Sequence, residues 1–203
     1  MKTIRIASLS LLTLLLIPSC YWDIDYTVVG TGDVEQMEVD VSEFSGVSVT
    51  GTCDVDIVTG EPQKVVLSAQ RQVLDVMTYR VRDGVLQIGY KSGYNVKTDS
   101  KISADIVVPA LDYAGISGAA DYTISGERQP VLDIYIEGTG DVNAFDMEVD
   151  DCTIRISGAG NCEVRVNNSL DIQVSGVGNV YYIGNPELTS DISGVGNVVA
   201  VND

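Results

Sequence analysis

The chain has 203 residues, with 29 acidic and 12 basic side chains, no histidine and a formal net charge of −17. That balance argues against a nucleic-acid surface and against docking on anionic membrane, since both require clustered basic groups. The missing histidine removes the commonest general base, any Ser-His-Asp triad and a typical zinc site.

The length fits one domain plus a targeting segment. Residues 1–19 read as that segment. Lys2 and Arg5 form a positive start, and Leu9 to Ile17 is an apolar run too short to span a bilayer as a helix. It ends in Ile17-Pro18-Ser19-Cys20, which resembles a bacterial lipobox. The resemblance implies a diacylglycerol thioether on Cys20 and an acylated new N-terminus, enough chains for a stable anchor. The other reading is an ordinary secretory signal followed by a coincidental cysteine.

Cleavage would leave ten basic against 29 acidic residues, a net charge of −19. Such a surface suits solubility outside the cell, with contact to the membrane only through the anchor. Asp23 and Asp25 match either an acidic export tag or a solvated linker. Residues 20–43 form the lipidated end and a lead-in, and residues 44–203 the folded domain.

From Phe44 the pattern is strand. Val47 and Val49 precede a turn at Gly51, and Val55 and Ile57 follow it. Gly60-Glu-Pro-Gln63 is a turn, and Val65 to Ala69 a strand. Gln70 to Thr78 reads as a strand edge or a brief helical turn. Arg80 to Tyr90 reads as a hairpin about Asp83-Gly84, a strong two-residue turn signal. Tyr90 to Lys101 is polar and reads as a loop. Ile102 to Val108 is a strand ended by Pro109.

Beyond Tyr113 a motif recurs. It reads Ser157-Gly-Ala-Gly-Asn161, Ser175-Gly-Val-Gly-Asn179 and Ser193-Gly-Val-Gly-Asn197, at a period of eighteen residues, with looser copies at Ser117 and Glu137. Aligning the last three copies places apolar residues in columns: Ile154, Ile172 and Ser190; Ile156, Val174 and Ile192; Cys152, Leu170 and Leu188; Cys162, Val180 and Val198. Within a copy the apolar positions are two apart, so they share one strand face. A unit this short cannot bury that face alone, but stacked units can. The expected fold is all-β: a right-handed parallel β-helix with coils of about 18–20 residues, preceded by a β-rich N-terminal part. Gly158, Gly160, Asn161, Gly176, Gly178, Asn179, Gly194, Gly196 and Asn197 are its expected corner residues, with the asparagine amides bonding along the stack.

Several of these stretches together resemble the head GIN domain family. They are Phe44-x-x-Val47-x-Val49-x-Gly51, Gly84-Val85-Leu86-x-Ile88, Val107-Val108-Pro109-x-Leu111 and the serial glycine corners. The resemblance covers residues 44–201. It implies a right-handed β-helical fold, a cell-envelope address and an adhesin role, and it brings no catalytic residues; with the lipobox-like segment, the expected address is the bacterial outer membrane, on its periplasmic face or at the cell surface. Ala120 and Cys53 depart from the second corner glycine.

The glycine corners lack a Gly-Lys-Ser/Thr and a following helix, so they are not phosphate loops. Asp33, Asp54, Asp121 and Asp141 are weak calcium candidates, better explained by turn chemistry. Asp54 with Asp56, and Asp150 with Asp151, offer paired carboxylates, though solvated acidic faces are common at this charge. Cys53, Cys152 and Cys162 read as buried thiols. The basic and aromatic stretch Tyr90, Lys91, Tyr94, Lys97 and Lys101 is the candidate ligand-contact loop, with Tyr181 and Tyr182 as a smaller aromatic spot.

The functional expectation is a non-enzymatic, lipid-anchored envelope protein, an adhesin or interaction scaffold without cofactor or metal. Its expected partners are envelope proteins or glycans. The alternatives are a carbohydrate-binding or carbohydrate-active protein and a structural envelope component. The last coil needs a cover, which suggests packing against another copy, a homo-oligomer through that end, or against another envelope protein.

Overall fold

The computed structural model describes residues 26–201. The signal segment, Cys20, Asp23 and Asp25 lie outside the described residues. The first strands are β1 (Tyr26–Val29), β2 (Val34–Val39), β3 (Gly46–Val49) and β4 (Asp54–Thr59). β5 (Lys64–Gln70) runs into a single helical turn, α1 (Arg71–Leu74), and then into the hairpin of β6 (Met77–Arg82) and β7 (Val85–Tyr90). Asp83 and Gly84 between them have φ of 52° and 78°, the left-handed pair that a tight two-residue hairpin turn requires.

The stretch expected as a loop instead contains β8 (Tyr94–Lys97), which pairs in parallel with β1 as a separate two-stranded sheet. There follow β9 (Ser103–Val108), β10 (Tyr113–Ile116), β11 (Tyr122–Gly126), β12 (Gln129–Ile136), β13 (Val142–Ile156) and β14 (Cys162–Val174). The last are β15 (Val180–Ile183), β16 (Glu187–Ile192) and β17 (Val198–Ala200).

The parallel β-helix expected from the periodicity is not what forms. All strands but β1 and β8 belong to one mixed 15-stranded sheet, curled into an open half-barrel. One wing runs β2-β5-β9-β4-β11 and the other β6-β7-β3-β10-β12, and they meet on β13. The pairs β2 with β5, β5 with β9 and β6 with β7 are antiparallel. β13 is not two short strands around a corner. It is one strand of 15 residues that pairs with β11 through its first part and with β12 through its second. The register slips between Ala144 and Glu148 on β13 where it faces β14, the kind of irregularity that bends a strand and lets a sheet curl. Period two fixes which residues share a face; it carries no information on whether the neighbouring strand runs parallel, nor on where a strand stops.

The apolar columns are nonetheless neighbours in this sheet. Ile154 pairs with Ile172 and Ile172 with Ser190; Ile156 with Val174 and Val174 with Ile192. Cys152, Leu170 and Leu188 lie side by side, as do Cys162, Val180 and Val198. The inner faces of both wings converge on a single core that includes Val47, Ile57, Leu86, Ile106, Ile134, Ile154, Ile172 and Val180. Each such aliphatic side chain contributes about 1.5–3 kcal/mol by leaving water.

Candidate functional site

Between the two wings runs a line of single parallel bridges: Thr52 to Ala119, Ala119 to Thr139, Thr139 to Ala159, Ala159 to Val177 and Val177 to Val195. The glycines flanking it sit where backbones come closest. A Cβ on Gly158, Gly176 or Gly194 would strike the carbonyl oxygen of Gly138, Gly158 or Gly176 in turn. Gly160, Gly178 and Gly196 are held in the same way by the carbonyls of Gly140, Gly160 and Gly178.

Beside the glycines, the amide of Asn179 donates to Asn161 Oδ1 at 3.0 Å and that of Asn197 to Asn179 Oδ1 at 3.2 Å. The same oxygens accept the backbone N–H of Asn179 and of Asn197, each at 3.1 Å. Upstream, the calcium candidates occupy the equivalent place. Asp54 Oδ1 accepts the N–H of Asp121 at 3.2 Å, Asp121 Oδ1 that of Asp141 at 2.9 Å, and Asp141 Oδ1 that of Asn161 at 2.6 Å. Asp33 is exposed, just ahead of β2. Among the described residues no three acidic or cysteine groups are arranged to hold a metal ion.

The open space of interest lies at the first of these bridges. A cleft of about 460 Å³ is walled by Thr50, Thr52 and Ala119 on one side and by Tyr90, Lys91, Tyr94 and Asn95 on the other. Tyr90, at the end of β7, packs against Gly51, where a Cβ would come within 2.8 Å of its ring. Its hydroxyl donates to the Thr52 carbonyl at 2.6 Å, and burial pushes its pKa up to about 12. Tyr90 is therefore a fixed neutral wall. Lys91 Nζ donates to the Asp75 carbonyl at 2.7 Å. Tyr94 is more than a third exposed, and its ring meets that of Tyr26 at 5.6 Å between centroids, tilted by 32°.

Of the five residues of the candidate loop, the cleft gathers Tyr90, Lys91 and Tyr94. Lys97 lies at the far end of β8, and Lys101 Nζ sits 3.5 Å from Asp54 Oδ2. What sequence reasoning missed is Tyr26. Its strand, Tyr26-Thr-Val-Val29, carried the signal in its β-branched composition, but nothing local said that it would back Tyr94. The cleft lining holds hydroxyls, one amide and one ammonium, and neither carboxylate nor imidazole. It can stack a flat apolar ligand face and hydrogen-bond ligand hydroxyls, and it has no pair of groups for acid–base hydrolysis.

The paired carboxylates have other engagements. Asp150 forms an ion pair with Arg128, and that contact holds its pKa below the usual range. Asp151 accepts from the Ser169 hydroxyl at 2.6 Å. Asp54 caps the corner already described, and Asp56 faces Asp105 across the outer surface. Tyr182 packs against the core while Tyr181 stays half-buried on the other face. Cys53, Cys152 and Cys162 are free, buried thiols.

Comparison with known proteins places this fold. A family model described as "Putative auto-transporter adhesin, head GIN domain" matches residues 43–131 and 114–186. No curated protein matches the chain. A solved structure described as a "putative adhesin" from Bacteroides fragilis aligns at 14% identity and a TM-score of 0.54, covering 86% of this chain and all of its own. One described as a "putative lipid binding protein" from Parabacteroides distasonis aligns at 17% identity and a TM-score of 0.57, covering 87% of this chain and all of its own. At these identities the likeness is one of fold.

Proposed function

Because the chain belongs to the head GIN domain family, we propose that it is a non-enzymatic, lipid-anchored protein of the bacterial outer membrane whose β-sheet framework presents a glycan-contact cleft for adhesion. The observation that carries this reading is the cleft at Tyr94. An exposed aromatic ring is backed by a second ring, flanked by Thr50, Thr52, Ser92 and Asn95, and mounted on strands rather than on a free loop. Aromatic rings take the apolar face of a sugar, and hydroxyls and amides take its edge. The single ammonium, Lys91, gives the cleft a neutral-to-positive character within an acidic molecule. Anchoring rests on the lipobox-like Ile17-Pro18-Ser19-Cys20 after a positive, apolar segment.

The test is a glycan array probed with the full chain in mild detergent, with and without calcium, beside Tyr94→Ala. One sugar class should bind in both conditions, with about a tenfold weakening on loss of Tyr94, the scale of one aromatic stacking contact. No bound glycan in either condition, or undiminished binding by the variant, would reject the cleft. The anchor is tested separately: Cys20→Ala should abolish incorporation of a fatty-acid analogue and release the protein from the membrane fraction.

A further inference from the structure

We propose that β16, within the open edge that it forms with Val195 and β17, is a self-association surface, and that two copies join there about a two-fold axis through Ser190. β16 pairs with β14, Val195 with Val177 and β17 with β15. Among the described residues nothing pairs with the other side of any of them. All six residues of β16 are exposed. Leu188 and Ile192 nevertheless belong to the core columns, beside the buried Leu170 and Val174. Val195 is 68% exposed and Val199 39%. Among the described residues, nothing covers this end of the hydrophobic core or pairs with its outer row of backbone donors and acceptors.

The other two edges of the sheet are blunted, β2 by Glu35 on its core-facing row beside Met37 and Val39, and β6 by arginine. β2 carries Glu35 and Glu38, and β6 carries Arg80 and Arg82, all exposed. From Glu187 to Val201 there is no lysine or arginine, and the only charges are Glu187 and Asp191. On β16 the core-facing row Leu188, Ser190 and Ile192 is uncharged, and an edge without lysine, proline, bulge or inward charge is a template for another strand.

The side-chain pattern of β16 selects the partner and the register. In an antiparallel self-pairing, residues directly opposite must point to the same face, so the axis passes through a residue. Centred on Thr189, the pairing would set Glu187 against Asp191 of the second copy, two like charges. Centred on Ser190, it sets Leu188 against Ile192 and Thr189 against Asp191. The core columns then run on into the second molecule. Ser190 is the one polar member of its column after Ile154 and Ile172. On the axis its hydroxyl meets its own symmetry mate. Head-to-tail stacking has no such fit, because the opposite ends of the sheet are charged antiparallel strands. The contact is therefore isologous and closes at two copies.

The test uses the full chain in mild detergent. Light scattering should give twice the chain mass for the native protein and one chain mass for Leu188→Lys, with thermal melting showing that the variant stays folded. Ser190→Cys places two sulfurs opposite each other at a strand–strand spacing compatible with a disulfide. Mild oxidation should convert most of that variant into a covalent dimer, above the background set by the native chain. Thr189→Cys, off the axis, should stay at that background. A native monomer at high micromolar concentration would overturn the proposal. So would a dimer that Leu188→Lys leaves intact or that Ser190→Cys fails to lock, since another surface would then hold it. Slow hydrogen exchange along β16 in a monomer would likewise overturn it and assign the edge to a segment of the same chain.

Discussion

A glycine in this molecule matters according to what lies a Cβ away. At Gly158 the space is taken by the backbone carbonyl of Gly138, which cannot rotate aside. Gly158→Ala must push neighbouring strands apart and should cost about 3 kcal/mol, an overpacking penalty without relief. At Gly60 nothing lies within 4 Å and φ is ordinary, so Gly60→Ala should gain about 0.5 kcal/mol by restricting the unfolded chain. Urea titration of the two variants should move the midpoint in opposite directions. The thiols add a pH dependence. Burial pushes Cys53 from 9.0 to about 12, with Asp54 adding to the rise. The unfolded chain releases this proton from about pH 9 while the folded chain keeps it. Stability is therefore fully present below pH 9 and falls as pH climbs toward 12, by about 1.4 kcal/mol per pH unit for one such group. Cys152 and Cys162 are shifted in the same direction by burial, so the fall should be steeper than one thiol gives. Urea unfolding between pH 8 and 11 reads it directly, and Cys53→Ala should flatten the slope.

At the scale of elements, the strands are specified by alternation and their partners by packing. On β13, Ile154 and Ile156 point into the core, while Arg155 between them points out, donating to the Tyr135 hydroxyl at 2.6 Å and to Gln173 Oε1 at 3.3 Å. Ile156→Asp would bury a carboxylate against Ile136 and Val174 and should cost more than about 4 kcal/mol, enough to unfold the meeting point of the two wings. Arg155→Ala should cost about 1 kcal/mol or less. Thermal melts of the pair separate an inward position from an outward one on adjacent residues. The strand–turn–strand at Asp83-Gly84, the columns of β13, β14 and β16, and the turn at Gly60 were all legible, because each is a local pattern. β8 was not. Tyr94-Asn-Val-Lys97 is polar, and it becomes a strand only because β1 lies alongside it. The Tyr26–Tyr94 contact that builds the candidate cleft was hidden for the same reason: its two halves lie 68 positions apart in the chain.

For the molecule as a whole, the sequence by itself determined an all-β chain, the faces of its strands, the register of its last strands, its acidic surface and its family. These follow from composition and from spacing along the chain, which do not depend on what the chain meets later. The family resemblance implied a β-helix, and the periodicity alone led to the same expectation. Only the tertiary structure decided otherwise. β5 runs antiparallel between β2 and β9, β13 passes unbroken from one wing to the other, and the sheet stays open. Strand direction and closure depend on which surfaces cover one another after collapse. An alternating sequence offers the same apolar face to a parallel or an antiparallel neighbour, so that choice is made by the packing of distant segments around one core.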